Sequence, residues 1–212
     1  ANDIKLGANQ FTVVLKNSIA KLSLDSFAAY EGTGKGLITI NAQNTPYKIA
    51  TNFDLDRIAA QPLLSDAAGF DKLMGKGSLN WNLTTVGQSQ KTFINALNGK
   101  LGFKFADGAV KGANVAEMVR KGKELIKGNF NAVSEGLDTG FEESEKTDFS
   151  ALSGSFNFTN GVGKNTDLSL ISPLIRISGE GDVDLPQTLV NYRLVTGLVD
   201  SIEGQGTTDD ST

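Results

Sequence analysis

Hydrophobic and polar residues alternate along much of the chain, with the period of two that is typical of β-strands. The clearest case lies within Leu97 to Gly112, where the apolar residues Leu101, Phe103 and Phe105 are separated by single small or charged residues. Asp107-Gly108 follows directly, and this dipeptide predicts a tight hairpin turn because glycine accepts a positive φ angle. The segment is therefore predicted to be a strand, a turn and a second short strand.

The same alternation predicts strands along most of the remaining sequence, with turns at Asn17-Ser18, at Asn160-Gly161, at Ser172-Pro173 and around Pro186. Helical spacing interrupts it three times. One or two short helices are predicted within residues 56–74, one at residues 89–97 with Ser89 as its cap, and one that begins at Asn114. Residues 129–147 are predicted to form a mobile loop, and residues 201–212 a disordered tail. Residues 1–200 are interpreted as one domain.

Two internal similarities indicate that the sheet is built from repeated hairpins. Residues 102–108 align without gaps on residues 155–161, at two phenylalanines, an Asp or Asn, and a final glycine. Gly-x-Gly followed by an alternating segment recurs at Gly34, Gly75 and Gly179, and these glycines are interpreted as turn residues. The predicted fold is α+β and β-dominated: an extended, curved antiparallel sheet of repeated hairpins that forms an open groove, with several short helices packed on it.

Composition excludes several classes of function. The 212-residue chain has no His and no Cys, so His-based triads, thiolate nucleophiles, disulfides and the usual zinc sites are absent. The net charge of −4 argues against a nucleic-acid interface. Asp54-x-Asp56 and Asp182-x-Asp184 have the spacing of calcium ligands but lack the other ligands of such loops, so a solvated strand face is favoured. We predict no catalytic residue, no metal site and no cofactor.

The chain resembles the C-terminal region of AsmA-family proteins of Gram-negative bacteria. The resemblance combines Leu-x-Gly, acidic-Gly and hydrophobic-x-Gly steps, a Thr-x-Phe entry, an Asn-Gly hairpin, a Ser-Pro edge and a Gly-x-Gly strand that ends in Val-Asp-Leu. It covers residues 75–194 well and residues 1–74 loosely. The residues that carry it are Leu97, Gly99, Asp107, Gly108, Val110, Gly112, Thr147, Phe149, Asn160, Gly161, Ser172, Pro173, Gly179, Gly181, Val183, Asp184 and Leu185.

The resemblance implies a periplasmic protein held at the inner membrane by an N-terminal helix, with a curved β-groove that takes part in phospholipid transport and outer-membrane biogenesis. No window of this sequence is apolar enough to be a signal peptide or a membrane span, so we expect that anchor to lie upstream of Ala1. The expected partners are a phospholipid or another acyl-chain lipid and envelope proteins. No enzymatic activity is expected.

A lipid groove is physically reasonable for such a sheet. A two-chain phospholipid exposes roughly thirty methylenes, at about 0.8 kcal/mol each, when it passes through water. Alternation places three sets of apolar side chains on common strand faces, and these could line a channel that removes most of this cost. The candidate lining residues are Leu79, Trp81, Leu83, Leu101, Phe103, Phe105, Phe156 and Phe158.

Two other functions remain open from the sequence. The same aromatic residues could form an ordinary core beneath helices, in which case the protein would be a structural or assembly factor of the envelope with a filled sheet face. A carboxylate enzyme such as a glycosidase is a third possibility, although one Trp and three Tyr provide few aromatic platforms for sugars. The period of two does not distinguish a groove lining from a core.

Overall fold

The protein is an open, curved sheet of ten antiparallel strands in which each strand pairs with its neighbours in sequence. The computed structural model describes residues 6–112, 146–173 and 175–198. The strands are β1 (Leu6–Lys16), β2 (Ile19–Ala29), β3 (Gly32–Asn41), β4 (Tyr47–Ala59), β5 (Leu73–Gly87), β6 (Asn98–Lys111), β7 (Lys146–Thr159), β8 (Val162–Ile171), β9 (Ile175–Asp184) and β10 (Leu189–Leu198). Helix α1 (Ala60–Ala68) joins β4 to β5, and α2 (Gln90–Asn95) joins β5 to β6.

Tight two-residue turns connect several of the strands. Asn17 and Ser18 have φ angles of 50° and 58°, and Asn160 and Gly161 have φ angles of 49° and 81°. Two successive positive φ angles are the mark of the type I′ turn, whose twist matches that of the flanking strands. The predicted turns at these two sites are confirmed, as is the turn around Pro186, which joins β9 to β10.

The predicted turn at Asp107-Gly108 is wrong. Both residues lie inside β6, which continues to Lys111. Asp107 has a φ angle of 48°, and the pairing of β6 with β5 shifts by one residue there: Lys76 pairs with Ala106 and Met74 with Ala109, so Asp107 and Gly108 together lie opposite Gly75. Asp107 is therefore a β-bulge, in which one residue takes the left-handed conformation and the strand then resumes.

The Gly-x-Gly segments are also not turns. Gly34 lies in β3, Gly75 and Gly77 in β5, and Gly179 in β9. A Cβ on Gly34 would lie 2.5 Å from Cδ2 of Leu55, and one on Gly77 the same distance from Cδ1 of Phe105. Gly34 has no room for a Cβ because side chains of the neighbouring strands lie over it, and Gly77 has none because both the Lys104 carbonyl and the Phe105 ring lie over it.

The described residues contain two helices rather than several. α1 ends at Gly69, whose φ angle of 65° and backbone N–H bond to the Ser65 carbonyl complete a left-handed cap. α2 begins after Ser89, as predicted, with a capping box shared with Thr92. The helix predicted from Asn114 and the tail lie outside the described residues. So does the predicted loop at residues 129–147, except for its last two residues, which begin β7.

Two hydrophobic clusters form the core, and both involve α1. In the first cluster Ala60 is fully buried, Phe105 and Phe149 are almost fully buried beside it, and Leu64 packs against the cluster. In the second, Ile58 is fully buried, and Leu63 packs against the cluster. α1 thus covers the end of the sheet at which β4 ends and β5 begins.

Candidate functional site

One face of the sheet, here called the apolar face, carries the large hydrophobic side chains of the central strands. Three lines of paired residues cross it, through Leu79, Trp81 and Leu83 of β5. Because side chains alternate between faces along a strand, residues in register with these three share their face. On β4 to β7 these three lines consist of Thr51, Phe53, Leu55, Leu79, Trp81, Leu83, Gly99, Leu101, Phe103, Gly154, Phe156 and Phe158, and Phe105, two residues beyond Phe103, shares their face.

Aromatic rings run across these strands in contact with one another. Phe53 stacks on Trp81, with ring centroids 4.7 Å apart and an interplanar angle of 21°. Phe103 lies 6.4 Å from Phe156, which lies 6.2 Å from Phe158. The rings lie side by side within the apolar face and each remains partly exposed. The apolar face therefore presents a nearly continuous aromatic and aliphatic surface.

Helices lie at the two ends of the apolar face. α1 covers one end, as described above. At the other end Thr85, which shares the face of Leu83, donates its hydroxyl hydrogen to the carbonyl of Phe93 in α2. A Cβ on Gly87 would lie 2.9 Å from the backbone nitrogen of Phe93. The apolar face is thus a trough that runs across the strands, with α1 and α2 along part of its sides.

No charged residue is in register with Leu79, Trp81 or Leu83 on the apolar face, from β2 to β9. Beyond the central strands these lines continue through Leu22, Leu24, Phe27, Gly34, Gly36 and Ile38 on one side and through Gly163, Leu168, Gly179, Gly181 and Val183 on the other. The opposite face is polar: Asn80 and Asn82 of β5 and Lys100 and Lys104 of β6 are exposed there. The sheet is therefore strongly amphipathic.

A family model, described as the AsmA family, matches residues 4–168. The chain belongs to the AsmA family. No curated protein matches the chain, and no solved structure does. The matched range includes β1 to β4, where the resemblance in the sequence was loose, and it ends before the Ser172-Pro173 and Gly179-x-Gly181 segments.

The structure of this AsmA-family chain brings all eight sequence-predicted lining residues to one face, but it does not expose them equally. Phe105 is only 3% exposed and belongs to the core cluster under α1. The other seven are partly exposed on β5, β6 and β7. Phe105 is therefore core, whereas Leu79, Trp81, Leu83, Leu101, Phe103, Phe156 and Phe158 remain available to a ligand.

Sequence reasoning missed the contribution of β2 to β4 to the apolar face. Phe53 stacks on Trp81, and Thr51 accepts a hydrogen bond of 3.2 Å from the indole nitrogen of that residue. The signal was present in the sequence, since Tyr47, Ile49, Thr51 and Phe53 alternate with other residues. Alternation alone did not reveal that this strand is the direct neighbour of the one that carries Trp81.

A polar group centred on the buried Asn165 interrupts the apolar face on β8. Asn165, 1% exposed, donates from its amide nitrogen to the Ser155 carbonyl and to Asp167 Oδ1, at 2.7 Å each, and accepts from the Tyr192 hydroxyl. Asp167 in turn accepts from the backbone N–H and the hydroxyl of Ser155, at 2.8 and 2.7 Å. The group lies where the β7–β8 and β8–β9 registers both shift, so it holds a bulge in place.

This polar group shifts the pKa of two of its members. Burial raises the pKa of Asp167, but the hydrogen bonds from Ser155 and Asn165 favour the carboxylate and lower the pKa below its usual value overall. Burial raises the pKa of Tyr192, and the negative charge of Asp167 raises it further. At neutral pH the group therefore contains one carboxylate and one neutral phenol.

Two cavities of the described chain are centred away from the middle of the apolar face. One, of about 410 Å³, is lined mainly by residues of the polar face such as Lys48 and Thr84. Another, of about 530 Å³, lies beside α1 and contains the ion pair of Glu31 and Lys76 at 2.9 Å. Among the described residues no group of acidic side chains is placed to hold a metal ion, and no helix is long and apolar enough to cross a membrane. A ligand on the apolar face would therefore bind an open surface.

Proposed function

We propose that the apolar face binds the acyl chains of phospholipids, and that the protein conducts lipid in the cell envelope as part of an AsmA-family groove. The observation that carries this proposal is the trough itself: a row of apolar side chains, most of them partly exposed, crosses β2 to β7 between α1 and α2 without a charged residue. Membership of the AsmA family supports a role in the envelope. We place the protein in the periplasm, attached to the inner membrane, and assign it no catalytic activity.

The dimensions of the trough fit a conducting role better than a single closed binding site. Adjacent strands are about 4.8 Å apart, so the six strands from β2 to β7, before the polar group on β8, give a row about 24 Å long. One leaflet of a bilayer has a hydrocarbon thickness of about 15 Å. The apolar face is thus longer than an acyl chain, and a chain that lies along it can shift from one position to the next without entering water.

The absence of charge on this part of the face determines how a phospholipid would lie. Burial of a phosphate against Trp81 and Leu101 would cost several kcal/mol with no cation to pair it. The acyl chains are therefore placed on the apolar face and the head group in solvent at the rim of the trough. This orientation predicts little discrimination between head groups and a stronger dependence on acyl-chain length.

Trp81 provides a direct test because it is the only tryptophan of the chain and lies in the middle of the apolar face. Phosphatidylcholine with brominated acyl chains should quench the fluorescence of Trp81, whereas the same lipid without bromine should not. Quenching requires contact between the bromine atoms and the indole, so lipid that binds elsewhere would leave the emission unchanged. Absence of quenching at saturating lipid would overturn the proposal.

A matched pair of variants separates the apolar face from the rest of the sheet. Leu101→Glu places a charge directly opposite Trp81, whereas Lys100→Glu places the same charge one residue away on the polar face. Leu101→Glu should weaken lipid binding at least about tenfold, because a carboxylate would be buried against the acyl chain. Lys100→Glu should leave binding unchanged, and circular dichroism should be the same for both variants.

The second candidate function is a structural or assembly role with a filled sheet face. The burial of Phe105 beneath α1 favours it, since part of the predicted groove is indeed covered by a helix of the chain itself. Native mass spectrometry of the purified protein distinguishes the two functions. Bound phospholipid that is lost in Leu101→Glu supports conduction, whereas a lipid-free protein with unquenched Trp81 supports the structural role.

A further inference from the structure

A hollow on the polar face brings one cation and two hydroxyl groups together. It is the cavity of about 410 Å³ described above, and its lining includes Lys48 of β4, Thr39 of β3 and Thr84 of β5. Among the described residues Lys48 has no ion-pair partner, and the hydroxyls of Thr39 and Thr84 have no hydrogen-bond partner. Polar groups that converge in a hollow without partners from the protein are available to a ligand.

The register of three strands produces the hollow. Thr39, Ala50 and Thr84 are paired in one line across β3, β4 and β5, so their side chains share the polar face. Ala50 has the smallest side chain of the three and leaves a gap between the two threonines, whose strands are two spacings, or about 9.6 Å, apart. Lys48 precedes Ala50 by two residues on the same strand and therefore lies beside the gap on the same face.

Positive charge surrounds this hollow. Three register lines, through Lys48, Ala50 and Asn52 of β4, cross the polar face here. Every residue of these lines from β1 to β8 is described, and none is Asp or Glu, whereas five are lysines: Lys16, Lys21, Lys48, Lys100 and Lys164. In the next line Asp54 is paired with Lys35, at 3.9 Å. The net charge of the chain is −4, so this concentration of positive charge is local, and it favours an anion.

We propose that the hollow is a binding site for the phosphate group of a phosphate ester. The ammonium group of Lys48 supplies the charge, and the hydroxyls of Thr39 and Thr84 donate to phosphate oxygens from opposite sides of the gap. Lysine commonly binds phosphate as a point charge. A carboxylate has only two oxygens in one plane, so it fits three donors around a gap less well than a tetrahedral phosphate.

The rest of the lining accounts for the ester. Ile49, Val86 and Ala96 also line the hollow, and its volume is in the range of about 300–1,000 Å³ that is usual for small organic ligands. The group esterified to the phosphate is therefore placed against these apolar residues. Two sources supply this chemistry, the head group of an anionic phospholipid and a soluble phosphate ester. The inference does not rest on the proposed trough, because the hollow lies on the opposite face of the sheet.

Titration of the isotope-labelled protein with glycerol phosphate, followed by amide chemical shifts, tests the site. The largest changes should be at Thr39, Lys48 and Thr84, and acetate at the same concentration should not produce them. Lys48→Gln should weaken the binding of glycerol phosphate at least about tenfold, because it removes the charge from the lining. Lys104→Gln is the matched control, since it removes an exposed lysine from the same face outside the hollow.

A second pair of variants tests the shape of the site and keeps every lysine. Ala50→Leu fills the gap between the threonines and should also weaken binding at least about tenfold. Asn52→Leu adds an apolar side chain to the same face of β4, two residues away, and should leave binding unchanged. If Ala50→Leu does not fold, the exposed substitution Lys48→Gln still decides the outcome.

Cosedimentation with phosphatidylglycerol vesicles distinguishes the two sources. Retention of the wild type and of Asn52→Leu, with loss in Lys48→Gln and Ala50→Leu, identifies a lipid head group as the ligand. No retention, together with binding of glycerol phosphate, identifies a soluble ester. Quenching of Trp81 by brominated phosphatidylcholine should be the same in Lys48→Gln as in the wild type, so the hollow and the trough are tested separately.

Three results would overturn the proposal. The first is the absence both of shifts at the hollow and of vesicle retention that depends on Lys48 and Ala50. The second is equal binding of glycerol phosphate by the wild type, Lys48→Gln and Ala50→Leu. The third is an equal response to acetate, which would show that any anion is attracted and that no phosphate site exists.

Discussion

The ring of Phe53 occupies the space that a side chain would need on Gly36, its partner across β3 and β4. A Cβ on Gly36 would lie 2.8 Å from Cζ of Phe53 and closer still to two other ring atoms. The same relationship joins Phe103 to Gly154 and Phe158 to Gly163. Glycine opposite an aromatic ring thus lets the ring lie flat over the sheet, which keeps the apolar face shallow and continuous.

Gly36→Ala should therefore destabilise the protein by about 1–3 kcal/mol, the usual cost of an overpacked position. Urea unfolding followed by Trp81 fluorescence measures this directly, because Trp81 stacks on Phe53. Gly102→Ala is the control: its Cβ would meet only the side chain of Asn80, at 3.1 Å or more, and should change stability by no more than about 0.5 kcal/mol.

A second substitution checks the cause. If the clash with the ring is responsible, Phe53→Leu should reduce the cost of Gly36→Ala, and a double-mutant cycle should give a coupling of at least about 0.5 kcal/mol. Additive effects would mean that Gly36 is required for another reason, such as the conformation of β3 itself.

The two copies of the Phe-x-Phe motif show how far the sequence determines this sheet. Both were predicted as strand and turn, and Asn160-Gly161 does form a turn, whereas Asp107-Gly108 forms a bulge inside β6. Asp107-Gly108 lies beside Gly75 of β5, where a Cβ would be 3.0 Å from Cα of Gly108. The outcome at this site depends on pairing with a strand about thirty residues earlier, which local sequence does not encode.

The apolar face was predictable to a similar extent. Alternation was sufficient to place Trp81, Leu101 and Phe156 on strand faces, and the structure puts them in one register. Alternation was not sufficient to separate Phe105 from the others, because its burial depends on where α1 returns to the sheet. The position of that helix is set by the packing of Ala60 and Leu64, which are distant from Phe105 in sequence.

Asp107 should tolerate glycine but not a β-branched residue. Its φ angle of 48° is costly for side chains that branch at Cβ, so Asp107→Val should destabilise the protein by about 1–2 kcal/mol and Asp107→Gly by much less. Lys104→Val, on an exposed and regular part of the same strand, is the control and should be neutral or slightly stabilising. Equal destabilisation by both substitutions at Asp107 would contradict the bulge and implicate the carboxylate instead.

The polar group at Asp167 should make stability depend on acidic pH. Because hydrogen bonds lower its pKa in the folded state, Asp167 stabilises the fold above its unfolded pKa of about 3.9, and this contribution is lost as pH falls through the folded pKa. Asp167→Asn should therefore lower the urea midpoint at pH 7, and the difference from wild type should shrink below about pH 4.

Ser155→Ala provides the control for that measurement, since it removes the hydroxyl donor to Asp167 Oδ2. In the Ser155→Ala background the effect of Asp167→Asn at pH 7 should be smaller. A difference between wild type and Asp167→Asn that stays constant from pH 7 to pH 3 would exclude the carboxylate as its source.

The cap of α2 holds in place the short helix that lies along one side of the trough. Ser89 accepts a hydrogen bond from the Thr92 backbone nitrogen at 3.3 Å, and the Thr92 hydroxyl accepts one from the Ser89 nitrogen at 3.0 Å. Ser89→Ala should cost about 0.5–2 kcal/mol. Since α2 has only six residues, we expect much of this loss of stability to appear as local opening of the helix, with faster amide exchange at Phe93 and little change at Trp81.

Gln90→Ala, in the first turn of α2 but outside the capping box, is the control and should leave amide exchange unchanged. Equal acceleration at Phe93 and Trp81 would mean that α2 unfolds only with the whole sheet, and that this side of the trough does not open independently.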